Sequence, residues 1–167
     1  MTEHNPTPKY SHHSHQNRII QAHNEDPYRI PKKWPEPTHC DECGAIYSQG
    51  RWVWGQASTD SIAHRCPACS RIKDKTPAGI LTLRGTYIEQ HKQEILNLIT
   101  NVEQQERLAH PLERIMSIDD QQQSLSISFT GTHMAKATGN AIHHAHQGNL
   151  EIHFGEQDSP MRITWQR

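Results

Sequence analysis

Two pairs of cysteines are the residues in this sequence best suited to chemistry. Cys40 and Cys43 form one C-x2-C pair, Cys66 and Cys69 form another, and 22 residues lie between the pairs. A C-x2-C turn brings two sulfurs to one side of an ion, and four thiolates complete the tetrahedral shell of structural zinc. The spacing therefore predicts a closed Zn²⁺ site of four cysteines, which leaves no coordination position for water or substrate.

Residues beside the cysteines fit two tight turns. Gly44 tolerates the positive φ that a sharp exit from the first pair requires, and Pro67 presets the turn of the second pair. The intervening residues predict a hairpin with residues 47–55 as one arm, which is the layout of a zinc ribbon. His39 and His64 flank the pairs and offer ring nitrogens as alternative ligands, but four cysteines already close the site.

Redox chemistry and disulfides are the alternative uses of paired cysteines. A thioredoxin-like pair requires a βαβ context, which is not evident here, and it needs only one pair. Residues 1–10 contain Glu3, two prolines and no apolar run, so they do not resemble a secretory signal. Thiols stay reduced in the cytoplasm. We therefore expect a cytoplasmic protein whose cysteines bind metal.

Composition divides the chain into three parts. Hydrophobic residues make up 33% of the 167 residues, so one core that extends through the whole chain is not expected. Residues 1–38 hold six of the ten prolines and five of the fourteen histidines, which predicts a flexible, disordered N-terminal arm. Residues 39–79 hold all four cysteines and form the predicted zinc ribbon. Residues 80–167 are the predicted α+β domain.

Hydrophobic periodicity in residues 80–167 predicts the order helix, two strands, helix, two strands. Thr86 and Glu89 fit a capping box, and an apolar stripe at helical spacing then continues to about Leu108. A second helix opens at Gly131. Alternating apolar residues predict four strands, near 115–118, 125–129, 150–154 and 161–165. Polar residues at 119–123 predict a turn after the first of these strands. This pattern favours a two-layer αββαββ domain with both helices on one face of an antiparallel sheet.

Cations and tryptophans in the first half of the chain suggest an RNA interface. Residues 1–79 carry 10 basic and 8 acidic groups, whereas residues 80–167 carry 7 and 10. Cations bind phosphates, and tryptophan faces stack on unpaired bases. The candidate nucleic-acid-binding residues are Arg29, Lys32, Lys33, Arg51, Trp52, Trp54, Arg65, Arg71 and Lys73. The alternative is that Trp52 and Trp54 form the ribbon core and that the cations are a solvated surface.

The arm and the histidines offer further candidates. An arm that orders on a partner would use Tyr28, Arg29 and Trp34 as anchors. His143 and His146 share one helix face, but a second metal site would need ligands that the sequence does not supply. We therefore expect these histidines to be surface residues.

Catalysis and membrane insertion are not expected. The sequence contains no phosphate-binding loop, no G-x-S-x-G and no H-E-x-x-H, and the paired carboxylates Asp119 and Asp120 fall in a predicted turn. No apolar run approaches the roughly 18 residues that span a bilayer. We expect neither an enzyme nor a small-molecule substrate.

Several segments together resemble a family of small bacterial zinc-ribbon proteins of uncharacterised function. The segments that carry this resemblance are 40–47, 50–55, 66–72, 77–79, 110–115 and Trp165. More remotely, the paired knuckles and the α/β region that follows are similar to the eukaryotic large-ribosomal-subunit export adaptor and its archaeal relatives. The resemblance implies association with the ribosome, and with its large subunit in particular.

Two functions follow from these observations. The first is a zinc-binding, ribosome- or RNA-associated accessory protein of translation, which docks through a basic ribbon and an extended N-terminal arm. The alternative is a protein–protein interaction adaptor without direct RNA contact, in which the ribbon is a scaffold and the acidic second half is the docking surface. Phosphate binding weakens steeply with salt, so salt dependence distinguishes the two.

Overall fold

The computed structural model of the chain describes Tyr28, residues 33–155 and residues 159–167. It contains helices and two mixed sheets, which confirms the predicted α+β class. Arg29 and Lys32 lie outside the described residues, as does most of the predicted arm. The elements are β1 Thr38–His39, β2 Ile46–Ser48, β3 Arg51–Val53, β4 Ile62–Ala63, α1 Pro67–Asp74, β5 Gly79–Arg84, α2 Tyr87–Ala109, β6 Ile115–Gln121, β7 Ser124–Phe129, α3 Thr132–His146, β8 Asn149–His153 and β9 Met161–Gln166.

A small sheet with the strand order β3-β2-β1-β4 forms the ribbon. β2 and β3 pair antiparallel across a turn at Gln49 and Gly50, whose φ angles of 51° and 79° are those of a tight hairpin. The prediction that 47–55 is one arm of a hairpin was therefore wrong, because this segment contains the hairpin turn itself. β1 pairs antiparallel with β2 and parallel with β4, so the cysteine pairs flank a single sheet.

The second cysteine pair opens a helix that the sequence analysis did not predict. Cys66 is the N-cap of α1, and its sulfur accepts a hydrogen bond from the backbone N–H of Cys69 at 3.5 Å. Pro67 occupies the first helical position, where its missing N–H is not needed. α1 ends at Asp74, and the residue that follows it, Lys75, is left-handed with φ 53°.

The larger sheet has the strand order β6-β7-β5-β9-β8. Its central pair, β5 and β9, runs parallel, and the other neighbouring strands run antiparallel. The predicted antiparallel sheet is therefore corrected to a mixed sheet. The cause is β5, a strand of six residues that begins at Gly79, the predicted domain boundary, and that the sequence analysis did not identify.

One face of this sheet packs against α2 and α3. The core contains alternate residues of the strands, such as Leu81, Leu83 and Ile163, together with Ile95 of α2 and Ile142 of α3. Residues of both helices belong to one hydrophobic core with the strand residues, which is the predicted two-layer arrangement. The other face carries polar residues, including the serines of β7.

Thr86 and Glu89 do not form the predicted capping box. Thr86 has helical φ and ψ angles of −65° and −22°, and its side chain makes no capping hydrogen bond. The backbone N–H of Glu89 instead donates to the Thr86 carbonyl oxygen at 3.2 Å, which is a bond of the helix itself. α2 nevertheless covers the predicted stripe and ends at Ala109, two residues before Pro111.

The carboxylates predicted to lie in a turn belong to a strand. β6 extends through Asp119 and Asp120 to Gln121, so the polar turn is shorter than predicted. Asp120 forms an ion pair with Lys92 of α2 at 2.7 Å.

Gly79 lets α3 approach the backbone of β5. A Cβ atom at this position would lie 2.6 Å from the Cβ of Ala135, well inside contact distance. We expect Gly79→Ala to lower the free energy of unfolding by about 1–3 kcal/mol, because the packed helix must move. Urea denaturation measures the change. Adding Ala135→Gly removes the opposing methyl group, so the double variant should recover part of the loss, and an unchanged urea midpoint in Gly79→Ala would contradict the packing argument.

Candidate metal centre

Four cysteine sulfurs converge on one point in the ribbon. The Sγ atoms of Cys40, Cys43, Cys66 and Cys69 all lie within 4.8 Å of one another. The sulfurs of Cys43 and Cys66 are 3.7 Å apart. Tetrahedral zinc–sulfur bonds of 2.3 Å place sulfurs about 3.8 Å apart, whereas a disulfide requires about 2.05 Å. The four cysteines are free thiols, and their arrangement is close enough to bind a metal ion.

Backbone turns aim amides at the sulfurs. The N–H of Cys66 donates to the Cys40 sulfur at 3.3 Å. In the first pair, Gly44 adopts φ 76°, as the sequence predicts, and its N–H donates to the Cys40 carbonyl oxygen at 2.9 Å. Burial by itself would raise the pKa of the Cys40 thiol, but backbone amides, led by that of Cys66, outweigh burial and bring this pKa down to about 7. Cys40 is therefore ready to ionise as a ligand.

In the second pair, the effect of burial on the thiol pKa outweighs that of the hydrogen bonds to the sulfurs. Burial raises the pKa of the Cys66 thiol, and the neighbouring cysteines raise it further. Burial also raises the pKa of the Cys69 thiol, although a hydrogen bond from Arg114 opposes that effect. Thiolates crowded together in a buried site require positive charge nearby, and a divalent cation supplies it. The donor set and its surroundings therefore fit a thiophilic metal ion.

Arg114 is the part of the site that the sequence analysis missed. This residue lies in the segment before β6, and only 6% of it is exposed. Its guanidinium donates to the sulfur of Cys43 at 3.0 Å, to that of Cys69 at 3.3 Å and to that of Cys66 at 3.7 Å. No local sequence pattern in the segment 110–115 relates it to the cysteines.

Electrostatics keep the Arg114 side chain charged. Burial alone would lower the pKa of its guanidinium, but hydrogen bonds to the sulfurs of Cys43 and Cys69 outweigh burial, and the pKa lies above its ordinary value. Four thiolates on a divalent ion carry a net charge of −2, and one guanidinium halves that charge. Charge-assisted bonds of this kind are roughly twice as strong as neutral ones.

The flanking histidines have other partners. Nδ1 of His39 lies 2.8 Å from the hydroxyl oxygen of Ser61. The ring of His64 packs at 4.0 Å from that of Trp34. Within the described part of the chain, the cysteine cluster is the only group of three or more metal-ligating side chains at ligand spacing.

The histidines of α3 are not all surface residues. His146 is buried, and its Nδ1 lies 3.1 Å from the hydroxyl oxygen of Tyr87. Nδ1 of His143 is buried without a hydrogen-bond partner in the described residues. The prediction of surface histidines therefore fails for His146, which packs against Tyr87 at the start of α2.

Two of the candidate nucleic-acid-binding residues are buried and contact other residues of the protein. Trp52 is 8% exposed and packs in the ribbon core against Tyr47, at 5.6 Å between ring centroids. Arg71 is buried, lies 4.3 Å from the Tyr28 ring and donates to the Thr76 carbonyl oxygen. Because both side chains are buried, little of either is accessible to a nucleic acid. Trp52 therefore fits the alternative interpretation, in which it is a residue of the ribbon core.

Other candidates remain accessible. Lys33, Arg51 and Lys73 are exposed, and Trp54 is 37% exposed. Arg65 is partly exposed and forms an ion pair with Glu42 at 2.6 Å.

Two of the predicted arm anchors contact the protein itself. The hydroxyl of Tyr28 donates to a carboxylate oxygen of Asp74 in α1 at 2.9 Å. Trp34 packs against the ribbon core, with its ring 6.4 Å from that of Trp52. These anchors therefore attach the end of the arm to the ribbon.

Comparison of the chain with protein-family models, with curated proteins and with solved structures found no match. None of the helices in the described residues is both long and apolar enough to cross a bilayer. The fold and the site define an α+β protein with a zinc-ribbon-like module, in which four cysteines can hold one metal ion.

Proposed function

We propose that the protein binds Zn²⁺ through its four cysteines and associates with RNA, as an accessory protein of the ribosome. The observation that carries the RNA proposal is Trp54, an exposed aromatic ring beside the arginine side chain of Arg107 at the junction of ribbon and α2. The metal has a structural role in this proposal, and RNA binding takes place on the surface nearby.

The donor set favours zinc over magnesium and calcium. Four soft thiolate ligands in a tetrahedral arrangement suit Zn²⁺, whereas magnesium and calcium prefer oxygen ligands. Three of the four cysteines are buried, and Cys43 is half-buried. A metal ion in such a closed site stabilises the fold of the surrounding residues.

An open cavity of about 440 Å³ lies beside Trp54. We call its lining residues, Trp54, Gln104, Arg107 and Leu108, the Trp54 surface. The indole N–H of Trp54 donates to the Arg107 carbonyl oxygen at 2.6 Å, which fixes the ring in place. A fixed, exposed aromatic ring is the platform on which proteins stack unpaired bases, and fixing it in advance lowers the entropic cost of binding.

Cations accompany this surface. The guanidinium carbon of Arg107 lies 5.6 Å from the centre of the Trp54 ring. Exposed Arg51 on β3 and exposed Lys73 on α1 add positive charge elsewhere on the ribbon. Phosphates of a bound RNA would contact such cations. The family resemblance favours ribosomal RNA as the partner, and the RNA of the large subunit in particular.

One observation favours the adaptor alternative. Leu108, which also belongs to the Trp54 surface, is 78% exposed. Exposed apolar side chains that form a continuous patch mark protein-binding surfaces, and Trp54 is among the residues that hot spots favour. Salt dependence separates these outcomes, because apolar docking to a protein does not release counterions.

Binding of a fluorescein-labelled oligouridylate, measured by fluorescence anisotropy, tests the RNA proposal. We expect Trp54→Ala to weaken binding by about 1–3 kcal/mol, since the stacking platform is lost, while Trp54→Phe retains most of the affinity. Arg51→Glu combined with Lys73→Glu should weaken binding further and reduce its salt dependence, because each cation neutralises a phosphate.

The matched control is Arg162→Glu, which reverses an exposed charge on β9, outside the ribbon. Zinc content is measured for each variant, so a lost metal is not mistaken for a lost contact. Salt-independent binding, or equal binding by the Arg162→Glu control and the ribbon variants, would contradict the RNA proposal. Co-sedimentation of the same variants with ribosomal particles tests the ribosome as the partner.

A further inference from the structure

Arg114 is a buried cation whose acceptors include the metal ligands. In the described residues its guanidinium makes hydrogen bonds to three cysteine sulfurs, while its Nε–H donates to the Pro111 carbonyl oxygen at 2.7 Å. A buried charge is costly unless it is paired and hydrogen-bonded. The position of this side chain therefore depends on the sulfur cluster, which belongs to a segment more than 40 residues earlier.

The backbone around Arg114 is bonded to the residue that leads into α3. The N–H of Arg114 donates to the hydroxyl oxygen of Thr130 at 2.8 Å, and the N–H of Thr130 donates to the Arg114 carbonyl oxygen at 3.0 Å. The Thr130 hydroxyl in turn donates to the Leu112 carbonyl oxygen at 2.6 Å. These bonds connect residues 112–114 to the entry of α3.

Glu113 makes a second connection to the same helix. Its carboxylate accepts a hydrogen bond from the backbone N–H of Met134, in the first turn of α3, at 2.9 Å. The residue before the helix is Gly131, and a Cβ atom there would overlap the Glu113 carboxylate. A carboxylate at a helix N-terminus satisfies a free amide and interacts favourably with the helix dipole.

We propose that Arg114 is a positioning residue of the metal centre, through which the bound ion fixes the start of α3. When the ion holds the four sulfurs together, they present a compact set of acceptors to the guanidinium. Without the ion nothing holds the four sulfurs together, and Arg114 loses its three sulfur acceptors and keeps only the Pro111 carbonyl oxygen. The segment 111–114 then loosens, and with it the contacts of Thr130 and Glu113 to α3.

Charge gives Arg114 a second effect on the ion. Its guanidinium reduces the net charge of a four-thiolate zinc centre from −2 to −1 in a buried environment. Groups that hydrogen-bond metal ligands from outside the coordination shell typically change metal affinity 10–100-fold when they are replaced. We expect a change of that size when Arg114 is lost, although it does not touch the ion.

The test compares Arg114→Met and Arg114→Lys with the exposed control Arg162→Met. Zinc affinity is measured by competition with a chromophoric chelator in the full-length protein. Arg114→Met should bind zinc about 10–100-fold more weakly than the wild type, and Arg162→Met should match the wild type. Arg114→Lys keeps the charge but loses the planar fork, so its affinity should lie between them.

Hydrogen exchange at the amides of residues 130–136 measures the link to α3. In the wild type, removing zinc with EDTA should increase exchange at these amides. In Arg114→Met they should exchange rapidly even with zinc bound. Because coupling is reciprocal, Gly131→Ala, which displaces Glu113, should also weaken zinc binding although residue 131 is not a ligand.

Wild-type zinc affinity in Arg114→Met would overturn the proposal. Exchange at residues 130–136 that does not respond to zinc in the wild type would also overturn it. If Arg114→Met does not fold, Arg114→Lys and Gly131→Ala provide the same two measurements. The inference rests on the zinc binding proposed above but not on RNA binding, so failure of the RNA proposal would leave it intact.

Discussion

Replacing Cys43 with serine is expected to release the metal ion and unfold the ribbon. Cys43 provides one of four sulfurs, and its sulfur also accepts the shortest hydrogen bond from Arg114 to the cluster. Structural zinc contributes about 10–16 kcal/mol in zinc-finger peptides, and a serine hydroxyl is a poor substitute for a thiolate. We therefore expect the loss of one ligand to cost more than the free energy of unfolding of a module of this size.

Zinc content by elemental analysis and the near-ultraviolet circular dichroism of the ribbon tryptophans measure this outcome. His64→Ala is the matched control, because His64 flanks the second pair but packs against Trp34. This control should keep one zinc ion per chain. Stoichiometric zinc in Cys43→Ser, or zinc lost in His64→Ala, would show that the ligand set is not the four cysteines.

Replacing Trp165 with alanine is the second change with a large expected effect. Trp165 is fully buried in the core of the larger sheet, and its indole N–H donates to the Gln147 carbonyl oxygen at 2.6 Å. Removing a buried tryptophan leaves a cavity, and a loss of about 3–5 kcal/mol in the free energy of unfolding is expected. That loss is a large fraction of the stability of a typical domain.

Trp54→Ala is a natural comparison for Trp165→Ala, because the same side chain is removed from an exposed site. Urea denaturation followed by far-ultraviolet circular dichroism should give a small change for Trp54→Ala and a much lower midpoint for Trp165→Ala. Equal destabilisation by the two substitutions would contradict the assignment of Trp165 to the core and of Trp54 to the surface.

The metal ligands were predictable from the sequence because their chemistry is local. Each C-x2-C pair is contained in one turn, and the doubled pair specifies four donors before any fold is known. Arg114 was not predictable in this way. It lies 71 residues from Cys43, and only the packing of the segment before β6 against the ribbon brings the two together.

The limits of pattern-based prediction are also visible in β5 and in the tryptophans. β5 begins at the predicted domain boundary, and its alternating leucines were not interpreted as a strand. Trp52 and Trp54 are two residues apart, a spacing that predicts one common strand face. β3 ends at Val53, so the alternation stops there, and only Trp52 enters the core.

The parallel pairing of β5 with β9 has a consequence for the order in which the protein folds. The paired residues Gly79 and Met161 are 82 positions apart, and β9 lies in the interior of the sheet between β5 and β8. The sheet is therefore incomplete until residues near 166 have left the ribosome, and contacts so distant in sequence form slowly. The four cysteines span only residues 40–69, so the ribbon can bind its ion while the rest of the chain is still being synthesised.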